Sequence, residues 1–146
     1  MKTTTTTATL HGAAIRQWDS PELKAIYWAG AHYAITAAIG LYGCKTSPIR
    51  PVLMAALAEA YVHYETARRC GAMDVNGDWD ALNDAGRAWY SIGAADALTD
   101  VLDALPDSVI EHHPGGLKSI QHARRAWIDK NQSLGDAYAR KVGLLK

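Results

Sequence analysis

The chain has 146 residues, of which 49% are hydrophobic and 21% charged, and its 15 Lys and Arg are balanced by 15 Asp and Glu. This composition excludes a disordered chain, and the length is typical of one domain with its own hydrophobic core. Two cysteines are too few for a disulfide framework, so we predict that Cys44 and Cys70 are free, buried thiols in a reducing cytoplasm.

The N-terminal segment shows no apolar core of a signal peptide, because Lys2 is followed by a run of threonines. We expect residues 1–9 to be a flexible tail and residues 10–146 to form a single helical domain. The stretch 25–44 has no formal charge and is long enough to span a bilayer. Since it is rich in Ala, Gly and Tyr, we interpret it as the buried centre of a helical bundle and expect a cytoplasmic protein without a membrane span.

Apolar residues recur at helical spacing along most of the chain. A short helix is predicted over residues 10–18, before the first long helix. Ser20, Pro21 and Glu22 are typical of a helix start, and the glycines at 40–43 of a helix end. A second helix begins at residue 47 or 50 and ends near residue 69. Both are rich in alanine, which permits close approach, so we expect an antiparallel pair.

The second half of the chain predicts further helices. The pattern over 79–105 is apolar at helical spacing, with Gly93 expected to kink or break the helix and Pro106 to end it. A turn at 114–116 precedes the last helix, which runs to about residue 142 or pauses near Gly135. No alternation of period two and no internal repeat is apparent. The predicted fold is all-α, a compact irregular bundle of five to seven helices without a sheet.

Charge is strongly segregated along the chain. Residues 1–73 hold seven basic and four acidic residues. Residues 74–111 hold one basic and nine acidic residues, and residues 112–146 hold seven basic and two acidic residues. Within the acidic segment, four aspartates recur at spacings of four, three and four residues, which places them on one narrow stripe of a helix. They are Asp96, Asp100, Asp103 and Asp107.

Three interpretations of this aspartate stripe remain open. It is a solvated face, or it pairs internally with Lys118, Arg124, Arg125 or Arg140, or it meets a basic patch on a partner. The third interpretation predicts a partner-binding site on the aspartates of the segment. The candidate residues are Asp80, Asp84, Asp96, Asp100, Asp103 and Asp107.

The function predicted first is a non-enzymatic inhibitor that binds another protein through this acidic surface. A small, motif-free, charge-segregated chain with five Trp, seven Tyr and no Phe suits a phage or mobile-element accessory protein. It would block a host defence complex, as an anti-CRISPR protein does, and its partner would be a host protein or protein–nucleic-acid complex with a basic surface. Alanine-rich helices would equally suit a homodimer.

The alternative is a small helical enzyme or a metal- or ligand-binding protein. Its site would lie between the first two long helices, lined by His32, Tyr33, Glu59 and His63. The sequence has no nucleophile elbow, phosphate loop or carboxylate–histidine metal motif, so we assign no catalytic residue, metal ligand or cofactor. We expect no direct binding of nucleic acid, because the chain is neutral overall and its C-terminal basic residues are spread around the last helix. They are Lys118, Arg124, Arg125, Lys130, Arg140 and Lys141.

Overall fold

A computed structural model describes residues 21–71, 84–141 and 143, and these residues form five α-helices and no strand. The all-α prediction is therefore confirmed. The helices are α1 (Pro21–Tyr42), α2 (Arg50–Gly71), α3 (Asp84–Ala104), α4 (Asp107–His112) and α5 (Pro114–Lys141). The predicted tail over 1–9 and the predicted helix over 10–18 lie outside the described residues. None of the helices in the described ranges has the length and apolarity needed to cross a membrane.

Helices α1 and α2 form the antiparallel pair that the sequence predicts, joined by a short loop. Arg50, at the start of α2, donates from Nη1 to the carbonyl oxygen of Gly43 at 2.6 Å and so ties the two helix ends together. At the other end of the pair, the Trp28 ring stacks on the His63 ring with 4.4 Å between centroids. The helices therefore stay in contact along most of their length.

Helix α3 runs through Gly93 without a break, so the predicted kink or break there is wrong. The reason is that Gly93 and Gly30 lie where α1 and α3 cross. A Cβ atom at Gly93 would overlap the carbonyl oxygen of Tyr27, and one at Gly30 would overlap the carbonyl oxygen of Tyr90. Both glycines therefore permit backbone-to-backbone contact between the helices, which is a packing role and not a helix-breaking one.

The bundle is built around α1 and α3, which run in the same direction. One core cluster joins the first halves of the two helices through Ile26, Tyr27, Trp89 and Ile92, and the other joins their second halves through residues such as Ile35 and Leu98. Helix α2 packs on the outer side of α1 and α5 on the outer side of α3, while α2 and α3 touch only slightly. The order across the bundle is therefore α2, α1, α3, α5.

The two halves of this bundle are related by an internal pseudo-twofold axis that the sequence analysis missed. Tyr90 lies 63 residues after Tyr27 and Gly93 lies 63 residues after Gly30, and their close contacts are reciprocal. At this offset, α1 and α3 are identical at six of the 17 positions from 25 to 41. The pairs are Ala25/Ala88, Tyr27/Tyr90, Gly30/Gly93, Ala31/Ala94, Ala34/Ala97 and Thr36/Thr99.

The connection between α3 and α5 differs from the prediction. Helix α5 begins at Pro114 and includes the two glycines assigned to a turn, and it continues past the buried Gly135 without a pause. The Ile49 side chain packs over Gly116, where an added Cβ atom would meet its Cδ1. Before it, α4 forms a short helix that buries Val109.

Both cysteines are unpaired, as predicted, but neither is buried. Cys44 follows the end of α1 and Cys70 lies in the last turn of α2, where the chain leaves the core. The prediction of buried thiols is wrong because these helix ends extend beyond the packed helices. The Thr46 hydroxyl, with its oxygen 3.7 Å from the Cys44 sulfur, lowers the pKa of that thiol.

Candidate functional site: an acidic groove between α2 and α3

A groove runs between α2 and α3, over the surface of α1. Its wider part has a volume of ≈ 400 Å³, and its narrow end, beside Tyr27 and Gly93, has ≈ 30 Å³, about the volume of one water molecule. Most of its walls are small side chains, chiefly alanines. The groove exists because α2 and α3 each pack on α1 and barely contact one another.

Two carboxylates line this groove from opposite walls, Glu59 on α2 and Asp100 on α3. Both residues border the narrow end as well as the wider part. Asp103 follows Asp100 by three residues and is exposed, on the neighbouring turn of α3. We use the name acidic groove for this site, with Glu59 and Asp100 as its lining carboxylates and Asp103 beside them.

The structure divides the predicted aspartate stripe. Asp96 is only 6% exposed, and its Oδ2 accepts a hydrogen bond of 2.7 Å from the Tyr27 hydroxyl. The interpretation of the stripe as a solvated face therefore does not hold at Asp96. The physical reason is that α3 is central: most of its residues before Ala97 are buried between α1 and α5, whatever their polarity.

The other predicted residues have different environments. Asp100 is half-buried, whereas Asp103 and Asp107 are exposed. Asp107 lies in the first turn of α4, because α3 ends at Ala104, so it does not continue the same helical face. Asp84 is half-buried in the first turn of α3, away from the groove, and Asp80 lies outside the described residues.

Tyr27 forms the floor of the narrow end of the groove. Burial raises the pKa of its hydroxyl well above the ordinary value, and the nearby carboxylates of Asp96 and Asp100 raise it further. Tyr27 therefore stays protonated and remains a hydrogen-bond donor to Asp96.

Two of the basic residues of α5 that were candidates for pairing with the stripe make other contacts. Arg124 donates from Nε to the Thr99 hydroxyl at 2.5 Å, so it contacts α3 through a neutral side chain. Arg125 pairs with Asp129 of its own helix at 3.1 Å, and both side chains are well exposed. An exposed pair of this kind adds only about 0.2–1 kcal/mol to stability.

The pseudo-twofold axis supplies an internal comparison for the acidic groove. The equivalent face lies between α5 and α1, on the opposite side of the bundle, and we call it the mate face. At the offset of 63 residues, its positions for Glu59, Asp100 and Asp103 are occupied by His122, Ala37 and Gly40. All three of these residues are exposed. The two faces thus share a framework, and only one of them carries carboxylates.

Sequence reasoning did not find Glu59 as a member of this site. It associated Glu59 with His63, four residues later on the same helix, because that neighbourhood can be read from spacing alone. The contact across the groove depends on the position of α3 relative to α2, which spacing does not contain. The one signal in the sequence was the 63-residue offset. The residue equivalent to Glu59 at this offset is His122, so the carboxylate occurs in one half of the chain and not in the other.

The residues of the alternative metal or ligand site are not gathered together. His63 stacks on Trp28, and the His32 ring lies 5.9 Å from that of Tyr61. Tyr33 is 50% exposed and packs against Tyr90 and Trp127 on a different side of α1. Across the described ranges, no three His, Cys, Asp or Glu side chains come close enough to hold a metal ion.

His32 predicts a dependence of stability on pH. Partial burial lowers the pKa of its imidazole, so the unfolded chain takes up the proton first as the pH falls below about 6.5. Stability should therefore be retained above that pH and fall on acidification toward pH ~5.5. We expect the urea midpoint of His32→Gln to fall less over this range than that of the wild type. His122→Gln, at an exposed position, serves as the control, and an equal slope in all three proteins would contradict the prediction.

Comparisons with protein-family models, with curated proteins and with solved structures give no match to this chain.

Proposed function

We propose that this protein acts by binding another protein, and that the acidic groove receives a basic segment of that partner. The observation that carries the proposal is the difference between two equivalent faces of one framework. Glu59 and Asp100 line the groove and Asp103 lies beside Asp100 on α3, whereas the mate face has neutral side chains or a histidine at those positions. The carboxylates are not needed to build the framework, since the mate face does without them.

Charge complementarity gives the groove its mode of action. A surface with several negatively charged carboxylates attracts a partner that carries Lys or Arg over a distance of about 8–10 Å at physiological salt. Such steering raises the association rate and selects against acidic partners. Occupation of the partner's basic surface by this protein would then block whatever that surface binds.

The partner class follows from the sequence analysis and is part of the proposal. A small protein that covers a basic surface suits an inhibitor of a host defence complex, of the anti-CRISPR type, in which basic surfaces bind nucleic acid. The support is the general character of the chain and the charge of the groove. Identification of the captured partner tests this assignment directly.

The experiment compares two double variants that change the net charge equally. Glu59→Gln with Asp103→Asn removes two negative charges at the acidic groove, and Gly40→Lys with His122→Lys adds two positive charges at the mate face. The tagged proteins are used to capture partners from host lysate, and bound proteins are identified by mass spectrometry. We expect the first variant to lose at least tenfold in captured partner and the second to retain it.

Salt and folding controls complete this design. Capture by the wild type should disappear in about 0.5 M salt, because the Debye length shortens. Circular dichroism and thermal melting must show that both variants are folded. Equal capture by all three proteins, or equal loss in both variants, would contradict a role for the groove.

A further inference from the structure

We infer that the segment received by the acidic groove is an amphipathic α-helix with an apolar face and at least one Lys or Arg on its edge. This inference rests on the proposed function and names the kind of partner that its site accepts. It depends on the shape of the groove, its length and the distribution of its charge.

The walls of the groove suit a helix, because few side chains project into it. The wider part is lined by Ala55 and Ala56 on α2 and by Ala104 on α3, together with proline and valine side chains and the two carboxylates. Small side chains let a third helix approach the backbone closely, as α1 and α3 approach each other at their glycines. A partner helix can then place its larger apolar side chains between α2 and α3.

The length of the groove corresponds to a few helical turns. Along α2 its wider part extends from Pro51 to Glu59, which is about 12 Å at 1.5 Å per residue, or about two turns.

The charge of the groove determines which helices it accepts. Glu59 and Asp100 line the same space from its two walls, so a cationic group on the edge of an inserted helix would be near both carboxylates. An acidic helix would be repelled by these carboxylates, and a purely apolar helix would remove water from them without supplying a cation.

A second copy of this chain fits less well than a different protein. The largest group of basic residues in the described ranges is on α5, spread around that helix, and the carboxylates are at the groove between α2 and α3. A contact between these two different surfaces is heterologous, so it would continue into an open-ended assembly unless the geometry closed into a ring. Concentration-dependent polymerisation of the pure protein would therefore contradict the inference.

The test is a titration of the isotope-labelled full chain with a synthetic helical peptide of Leu, Ala and Lys, followed by NMR. We expect the amide signals of Ala55, Glu59 and Ala104 to shift, and those of Ala37 and His122 on the mate face to remain. The same peptide with Glu in place of Lys should not bind. Polylysine, which has charge but no apolar face, should bind at least tenfold more weakly.

A groove-filling variant has a matched control at the same offset. Ala104→Phe should weaken peptide binding at least tenfold, because the ring occupies the groove. Leu41 is the residue equivalent to Ala104 on the mate face and is 72% exposed. Leu41→Phe introduces the same ring there and should leave peptide binding unchanged. Absence of peptide-induced shifts, shifts at the mate face, or equal binding by polylysine would overturn the inference.

The outcomes separate this inference from the proposed function. If the Glu59 and Asp103 double variant loses the captured partner but the peptide does not enter the groove, the site binds a partner that is not a helix. If the peptide does not enter the groove and the double variant captures as much partner as the wild type, the proposed function fails together with the inference.

Discussion

Gly30→Ala and Gly93→Ala should each lower the free energy of unfolding by about 3 kcal/mol or more. A Cβ atom at either position overlaps a backbone carbonyl oxygen of the facing helix, and a backbone atom cannot move aside as a side chain can. The two central helices must separate, which loosens both core clusters at once. The greater intrinsic preference of Ala for helices, about 1 kcal/mol, opposes this loss and is smaller than it.

The matched control for this prediction is Gly40→Ala. It makes the same chemical change in α1, but nothing lies within 4 Å of the added Cβ atom. We expect it to raise stability by about 0.5–1 kcal/mol, because Ala restricts the unfolded chain more than Gly does. Urea unfolding of the three variants measures the differences. A similar change in all three would mean that the close crossing of α1 and α3 does not limit stability.

Tyr27→Phe should lower the free energy of unfolding by about 1.5–3 kcal/mol. The change removes the hydroxyl that donates to the buried Asp96 carboxylate, and loss of a hydrogen bond to a buried charged group costs about this much. The ring itself is preserved, so its packing against Trp28 and Trp89 is retained. Chemical denaturation followed by tryptophan fluorescence measures the loss.

Tyr61→Phe provides the control for the Tyr27 variant. Tyr61 is 52% exposed, and its ring lies at the surface near His32. Removing its hydroxyl should change stability by less than about 0.5 kcal/mol. If both variants lost the same amount, the hydrogen bond between Tyr27 and Asp96 would not be the cause.

Sequence patterns predicted the fold where local chemistry determines an element. Serine and proline before Glu22 mark the start of α1, and glycines mark its end, within a residue or two of the structure. The patterns failed where a distant part of the chain decides. Gly93 resembles a helix breaker in isolation, and only the backbone of α1 shows why a glycine belongs there.

The candidate site was predictable only in part for the same reason. The acidic character of α3 is evident from the sequence, and Asp100 lines the groove with the exposed Asp103 three residues later. The burial of Asp96 was not evident, because α3 is enclosed by helices from both halves of the chain. The internal repeat was missed because half of the identical pairs are alanines, which are common in any helix. Its informative part is a tyrosine three residues before a glycine, once in each half.

The pseudo-twofold axis means that one binding face can be copied onto the other without redesigning the core. Ala37→Asp, Gly40→Asp and His122→Glu would reproduce the carboxylates on the mate face, at exposed positions away from the glycine crossing. Such a chain would be bivalent, with its two faces directed to opposite sides of the bundle. It could bridge two partner molecules, and on an oligomeric target the second contact would be made at a high effective concentration.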